Sequence, residues 1–276
     1  MSDNPLAVPE DRVLLSRFLR HFRLSSALPP AELLRGVIAS FAQLPYENLT
    51  KIIKHQEVSR PEAARRLPDE VVDDHVAFAA GGTCFSLTAA LLNLVRSLGW
   101  QAEPLLADRR YGDNTHCALI VWMEGKPHLV DPGYLNVEPI PLDFREPLEI
   151  RTAFNQLILT PTSGGEKIDL ATRSGDRTKH RLTFKASPAD PGEFLRAWDA
   201  SFDWDMMHYP VLSRVAGQRQ LYLQGRRWQT RSHESVQRQQ LPLDQLTTRI
   251  ASDFGIAPEL AARALEILHR QGESNG

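Results

Sequence analysis

The chain has 276 residues, 42% of them hydrophobic and 24% charged, and its 32 basic and 34 acidic side chains leave a net charge of −2. That balance suits a globular protein with a sizeable core and argues against nucleic acid or an anionic membrane as its partner. No apolar run approaches the roughly 20 residues of a membrane span, the N-terminal stretch has no signal-peptide core, and two cysteines make no disulfide framework, so the expectation is a cytoplasmic protein with both thiols free.

In chain order, Val13, Leu14, Phe18, Leu19 and Phe22 recur at helical spacing, and a second amphipathic helix is expected from Ala31 to Leu44, started by Pro29-Pro30 and ended by Pro45. Residues 51–75 read as charged and mixed, with one short helix around Pro61 to Leu67. Phe85 to Leu98 is apolar enough for a buried helix, closed by Gly99. Strand-like runs follow at Gln101 to Asp108, His116 to Met123, His128 to Val130 and Glu138 to Pro141, with a hairpin signal at Glu124-Gly125. Further strands are expected at Phe154 to Thr160 and His180 to Lys185, with Thr162 to Arg177 as a polar loop between them. Glu193 to Arg196 reads as a turn, 221–231 as a hairpin, and Leu243 to Arg270 as two helices split near Gly255 and Pro258. Helices followed by strands imply α+β rather than an alternating parallel sheet. The expected units are 1–98, 99–192 and 193–276.

Three residues stand out chemically. Cys84 follows Gly81-Gly82 and opens a long helix, where unpaired N–H groups and the positive end of the dipole favour a thiolate. The glycines are expected to let backbone approach whatever nears the sulfur. His116 opens a strand, and alternation is expected to turn Cys117 to the other face as a structural thiol. Asp131 closes the partner strand of the hairpin, which brings it to the same end as His116. There it would sit beside Nδ1, fix the tautomer and stabilise the imidazolium. The reading is a Cys84–His116–Asp131 triad. The remaining histidines show no zinc-ligand spacing, so no metal is expected. The small basic groups Lys179-His180-Arg181 and Arg226-Arg227 read as surface, with the option of meeting a CoA phosphate.

Pro45-Tyr-Glu-Asn-Leu49, Gly81-Gly-Thr-Cys84, Thr115-His-Cys-Ala-Leu-Ile-Val121 and Asp131-Pro-Gly-Tyr134 together resemble, in order, the motifs of the arylamine N-acetyltransferase family, a branch of the papain- and transglutaminase-like cysteine enzymes. The resemblance implies an N-terminal helical bundle, a central β-barrel and a C-terminal α/β lid. It implies that Cys84 carries an acyl group from acetyl-CoA or another acyl-CoA to a small amine, with no permanently bound cofactor and with a monomer or homodimer as the working unit. It also implies that Tyr46, Phe85, Tyr134 and Thr115 bind substrate. The chain departs from the family at Ala80, where the family has Arg, and at Ser86 and Thr88, where bacterial members have Glu and Asn. It departs again at Leu135, which replaces a Gly. Donor and acceptor therefore stay open. An amide-forming biosynthetic enzyme, a transglutaminase-like enzyme or amide hydrolase, and a non-catalytic binding module are the alternatives.

Overall fold

The computed structural model describes residues 4–58, 60–142, 145–174 and 177–274. Helices α1 (Val13–His21) and α2 (Pro30–Phe41) lie where the apolar spacing places them. Pro45 leads into a two-residue strand, β1 (Tyr46–Glu47), and then α3 (Leu49–Glu57), α4 (Pro61–Ala64) and α5 (Pro68–Phe78). The stretch read as mixed thus holds three helices. In α3 the buried positions include Thr50, bonded to Glu47 just before the helix, and Lys51, whose partner Ser201 lies far along the chain. Helix α6 (Cys84–Ser97) is buried along nearly its whole length and forms the middle of the first core, against Phe18, Phe41 and Val71.

The strands β2 (Ala102–Arg109), β3 (Gly112–Met123), β4 (Lys126–Val130), β5 (Ile140–Pro141), β6 (Leu148–Arg151), β7 (Gln156–Thr162), β8 (Lys167–Ser174) and β9 (Arg177–Lys185) make one sheet in the order β5-β4-β3-β2-β9-β8-β7-β6. Leu105, Ala118, Leu129, Leu157, Leu170 and Phe184 come from six of these strands and share a single core, so the sheet curls around it as a half-barrel. The β3–β4 turn falls at Glu124-Gly125, both at positive φ (52° and 75°), as a two-residue hairpin requires. Half of the expected loop Thr162 to Arg177 is instead β8, in which Ile168 and Leu170 alternate inward; residues 175 and 176 lie outside the described residues.

Helix α7 (Pro191–Ala200) replaces the expected turn. Pro191 occupies its first position and the Asp190 carboxylate caps the Glu193 N–H at 2.8 Å. Strands β10 (Val211–Ala216), β11 (Arg219–Gln224), β12 (Arg227–Arg231) and β13 (Val236–Gln240) form a second sheet, which β1 joins at its edge beside β10. Helices α8 (Leu246–Phe254) and α9 (Pro258–Ser274) cover it, together with Leu49 and Ile53 of α3. The chain from Pro45 to Glu57 therefore ties the first helices to the last sheet. Asn48 is the latch: its Nδ2 donates to the carbonyls of Met206 (2.5 Å) and Tyr209 (2.9 Å), and its Oδ1 accepts from the Val211 N–H at 2.8 Å. No helix among the described residues is long and apolar enough to cross a membrane.

Candidate active site

The turn before α6 is built from the chain's own close packing. A Cβ on Gly81 would lie 1.8 Å from the Pro45 carbonyl oxygen, and one on Gly82 would lie 2.3 Å from Ser86 Oγ. Gly81 thus admits the Pro45 segment, while Gly82 lets the Ser86 side chain and the Arg66 guanidinium close in on the turn. Arg66 Nη1 donates to the Gly81 carbonyl at 2.5 Å and lies 3.8 Å from Glu47, while Nη2 meets Asp74 at 2.7 Å. The motif-adjacent Ala80 carries no charge, so the buried guanidinium of this turn comes from Arg66, far from the motif in sequence.

Cys84, His116 and Asp131 are all buried. His116 Nε2 lies 2.7 Å from Asp131 Oδ2, so the carboxylate takes Nε2 and not the expected Nδ1. Asp131 Oδ1 accepts the Tyr134 N–H at 2.9 Å. A Cβ placed on Gly133 would be 2.9 Å from His116 Cε1, 3.1 Å from Cys84 Cβ and 3.4 Å from Asp131 Oδ1, so the three side chains converge on one glycine. Nδ1 is left for the thiol, yet Arg109 Nη2 also reaches it at 3.1 Å.

Strand alternation separates His116 from Cys117, which lies on the other face as a buried thiol. His116 faces Tyr134 and Phe184, whereas Cys117 packs toward α6 with its thiol 3.4 Å from Thr88 Oγ1. Because Cys84 sits at the tip of α6, it is flanked from both sides of the strand. Its thiol is held well below the usual range, first by a hydrogen bond from Cys117, with burial opposing, and then by the hydrogen bond and charge of His116 and the charge of Arg109. Burial is the largest influence on His116 and lowers it, but the charge and hydrogen bond of Asp131 and the contact with Cys84 outweigh it and raise the imidazole to about 9. Those directions favour a thiolate–imidazolium pair at neutral pH.

A cavity of about 320 Å³ opens beside Gly133 between the two sheets. Tyr46 and Tyr134 line it, as do Arg109, Arg231 and Arg181; of these arginines the sequence offers only Arg181 as an anion contact, in a group otherwise read as surface. The signal that would have found Arg109 and Arg181 is a sheet irregularity, which leaves no mark in one sequence. Phe85 and Thr115 do not line it. Phe85 stacks in the core with Phe194, Trp198 and Trp204, at ring-centroid distances of 5.2, 6.0 and 6.2 Å. Thr115 Oγ1 donates to the Gly112 carbonyl and accepts the Arg109 N–H, bracing the β2–β3 end. Burial raises the phenol of Tyr46 and pushes that of Tyr134 up to about 12. Buried Lys51, bonded to Ser201 O and Oγ at 2.7 and 2.6 Å, is lowered by burial to about 7 against the pull of Cys84 and Asp203.

Residues 31–263 match the family model described as N-acetyltransferase. The chain belongs to the arylamine N-acetyltransferase family. Solved members share its fold. The enzyme from Mycobacterium abscessus aligns with a TM-score of 0.77 at 18% identity, over 92% of this chain and 94% of its own. That from Mycobacterium marinum in complex with CoA gives 0.75 at 17%, over 92% and 99%. An arylamine N-acetyltransferase from Bacillus cereus with a Cys-His-Glu triad gives 0.69 at 14%, over 89% and 99%. No curated protein sequence matches the chain.

Against the family motif, the Leu135 departure has a structural signature. Leu135 is buried and holds φ at 59°, the left-handed region natural to glycine. With Tyr134 it stands between the main cavity and an apolar neighbour of about 180 Å³. In Leu135→Gly, relief of backbone strain contributes about 1 kcal/mol, and loss of a buried leucine costs about 2–3 kcal/mol. Urea denaturation should show a net loss of about 1–2 kcal/mol, and the joined cavities should accept bulkier amines with lower KM. A more stable variant with an unchanged substrate range would remove the case for Leu135 as a partition.

Proposed function

We propose that this protein moves an acetyl or other short acyl group from an acyl-CoA thioester, through an acyl-Cys84 intermediate, to a small amine. The observation that carries the reading is His116 seated between Cys84 and the buried Asp131 carboxylate, at a helix N-terminus beside an open cavity. The Cys84 thiolate would attack the thioester carbonyl. The C–S bond to CoA breaks, and the departing CoA sulfur takes the proton from His116. An amine entering between Tyr46 and Tyr134 would then attack the acyl-Cys84 carbonyl, neutral His116 would remove the amine proton, and Cys84 would leave as thiolate. Asp131 holds the imidazole by Nε2 throughout. The 193–276 region, whose second sheet supplies one wall of the cavity, would act as the lid.

The test is intact mass after incubation with acetyl-CoA and a panel of short acyl-CoAs. One acyl group should appear on Cys84 and disappear on addition of an arylamine, and Cys84→Ala should carry none. No adduct from any donor, together with turnover of a glutamine amide or a peptide, would move the protein to the hydrolase or transglutaminase class.

A further inference from the structure

We propose that the cavity beside the triad takes a substrate bearing a carboxylate, whose acid group is seated among Arg109, Arg181 and Arg231. All three line one space of about 320 Å³, and no Asp or Glu lines it. Among the described residues, none of the three has a carboxylate partner. Two of them are aimed by breaks in the sheet. In the β8–β9 ladder Leu170 pairs with Leu182 and Ala171 with His180, so Arg181 is the extra residue of a bulge. In the β2–β3 ladder the register shifts between Ala107 and Arg109. Bulges re-aim side chains, and here they add two cations to one cavity. Arg231 comes from the facing sheet, and its Nε is buried without a partner. Burial, and then the charge of Arg181, make the Arg231 cation harder to hold. Arg109 is offset in part by the Cys84 thiolate, but Arg181 and Arg231 converge with it and have no carboxylate partner, which is costly unless an anion completes them, and a carboxylate fits their planar donor fork.

The phosphates of CoA are the other common source of an anion. However, Arg109 touches His116 Nδ1 at 3.1 Å, at the reacting centre itself. In CoA a long uncharged pantetheine arm separates sulfur from phosphate, so a donor with its sulfur at Cys84 cannot place its diphosphate at Arg109. The acid group therefore belongs to the acyl group or to the acceptor amine. The same contact gives binding a consequence, which rests on the function proposed above: Arg109 stands 3.1 Å from a His116 that is charged in the resting pair, and a substrate carboxylate offsets that repulsion.

Calorimetric titration of the full-length protein with para-aminobenzoate and with uncharged para-aminobenzamide, in wild type and in Arg231→Gln, tests the amine source. Intact-mass acylation rates with succinyl-CoA and acetyl-CoA test the acyl source. Thermal melting checks folding, and Arg181→Gln is the second variant. At least one arm should prefer the acid by about tenfold or more, and the preference should fall below about threefold in the variants. Preference in the first arm places the carboxylate on the amine, and in the second on the acyl group. Equal treatment of acid and neutral compounds in both arms overturns the proposal, as does a preference that both variants leave intact. Tight binding of inorganic pyrophosphate, lost in the variants, with no acid preference would assign the cavity to CoA and overturn it too. If no donor acylates Cys84 while the acid still binds preferentially, the proposed function fails and this inference stands. If Cys84 is acylated without any acid preference, the inference alone fails.

Discussion

Asp131→Asn should lower acyl transfer by about 10⁴-fold, the scale on which a triad fails when its histidine is held in the wrong tautomer. The reason lies in the two contacts of Asp131. Oδ1 accepts the Tyr134 N–H at 2.9 Å and Oδ2 meets His116 Nε2 at 2.7 Å. An asparagine must keep its oxygen toward the Tyr134 N–H, since two donors cannot face one another, and so presents its NH₂ to Nε2. Nε2 must then accept, the imidazole proton moves to Nδ1, and Nδ1 can no longer receive a proton from Cys84. The charge of Asp131 is also what lifts His116 to about 9 against its burial. Without it the imidazole loses its proton at lower pH and the thiolate loses its partner. Iodoacetamide should therefore alkylate wild-type Cys84 rapidly at pH 6, a rate that holds as pH rises until the pair breaks near pH 9. In Asp131→Asn the rate should be slow at pH 6 and climb only in alkali. Identical alkylation profiles for the two proteins would show that Asp131 does not set the charge state of the pair.

Parts of this site were readable from one sequence, and the boundary is physical. Cys84, His116 and Asp131 could be picked out because each sits at a punctuation mark in the periodicity: a glycine pair before an apolar helix, the start of a strand, and the end of its hairpin partner. Helices α1, α2 and α6 announced themselves by apolar spacing, and the split between α8 and α9 by Gly255 and Pro258. Helix α3 did not, because its buried Lys51 is satisfied by Ser201, 150 residues on, a contact that only the fold creates. Strand β8 was hidden by the Gly/Ser composition ahead of it, although Ile168 and Leu170 alternate as a strand should. The placement of the cavity arginines was unreadable for a further reason. Alternation places a side chain only while the ladder is regular, and Arg181 and Arg109 sit at its irregularities. Cys117 shows the converse: its ladder is regular there, and it lies on the face that alternation predicts, buried against Thr88.

Gly133→Ala should cost about 10²-fold in kcat/KM without disturbing the chemistry of the pair, because it displaces groups and removes none. Gly133 is not among the residues at positive φ, so alanine meets no backbone penalty and the effect is one of space alone. The new methyl carbon would stand 2.9 Å from His116 Cε1 and 3.1 Å from Cys84 Cβ. Cys84 Cβ is fixed to the first turn of α6 and cannot retreat. The imidazole is tied by Nε2 to Asp131, so it must pivot about that bond, which swings Nδ1 away from the sulfur. Overpacking of this kind costs about 1–3 kcal/mol, readable as a lower melting temperature in a protein that stays folded. The two substitutions then separate charge from position. Asp131→Asn should change the pH profile of Cys84 alkylation, whereas Gly133→Ala should keep a fast limb at pH 6 and lose turnover. If Gly133→Ala retains activity within about threefold of wild type while it remains folded, the convergence of the three side chains on this glycine is not what aligns them, since a misplacement of about 1 Å is enough to cost the larger factor.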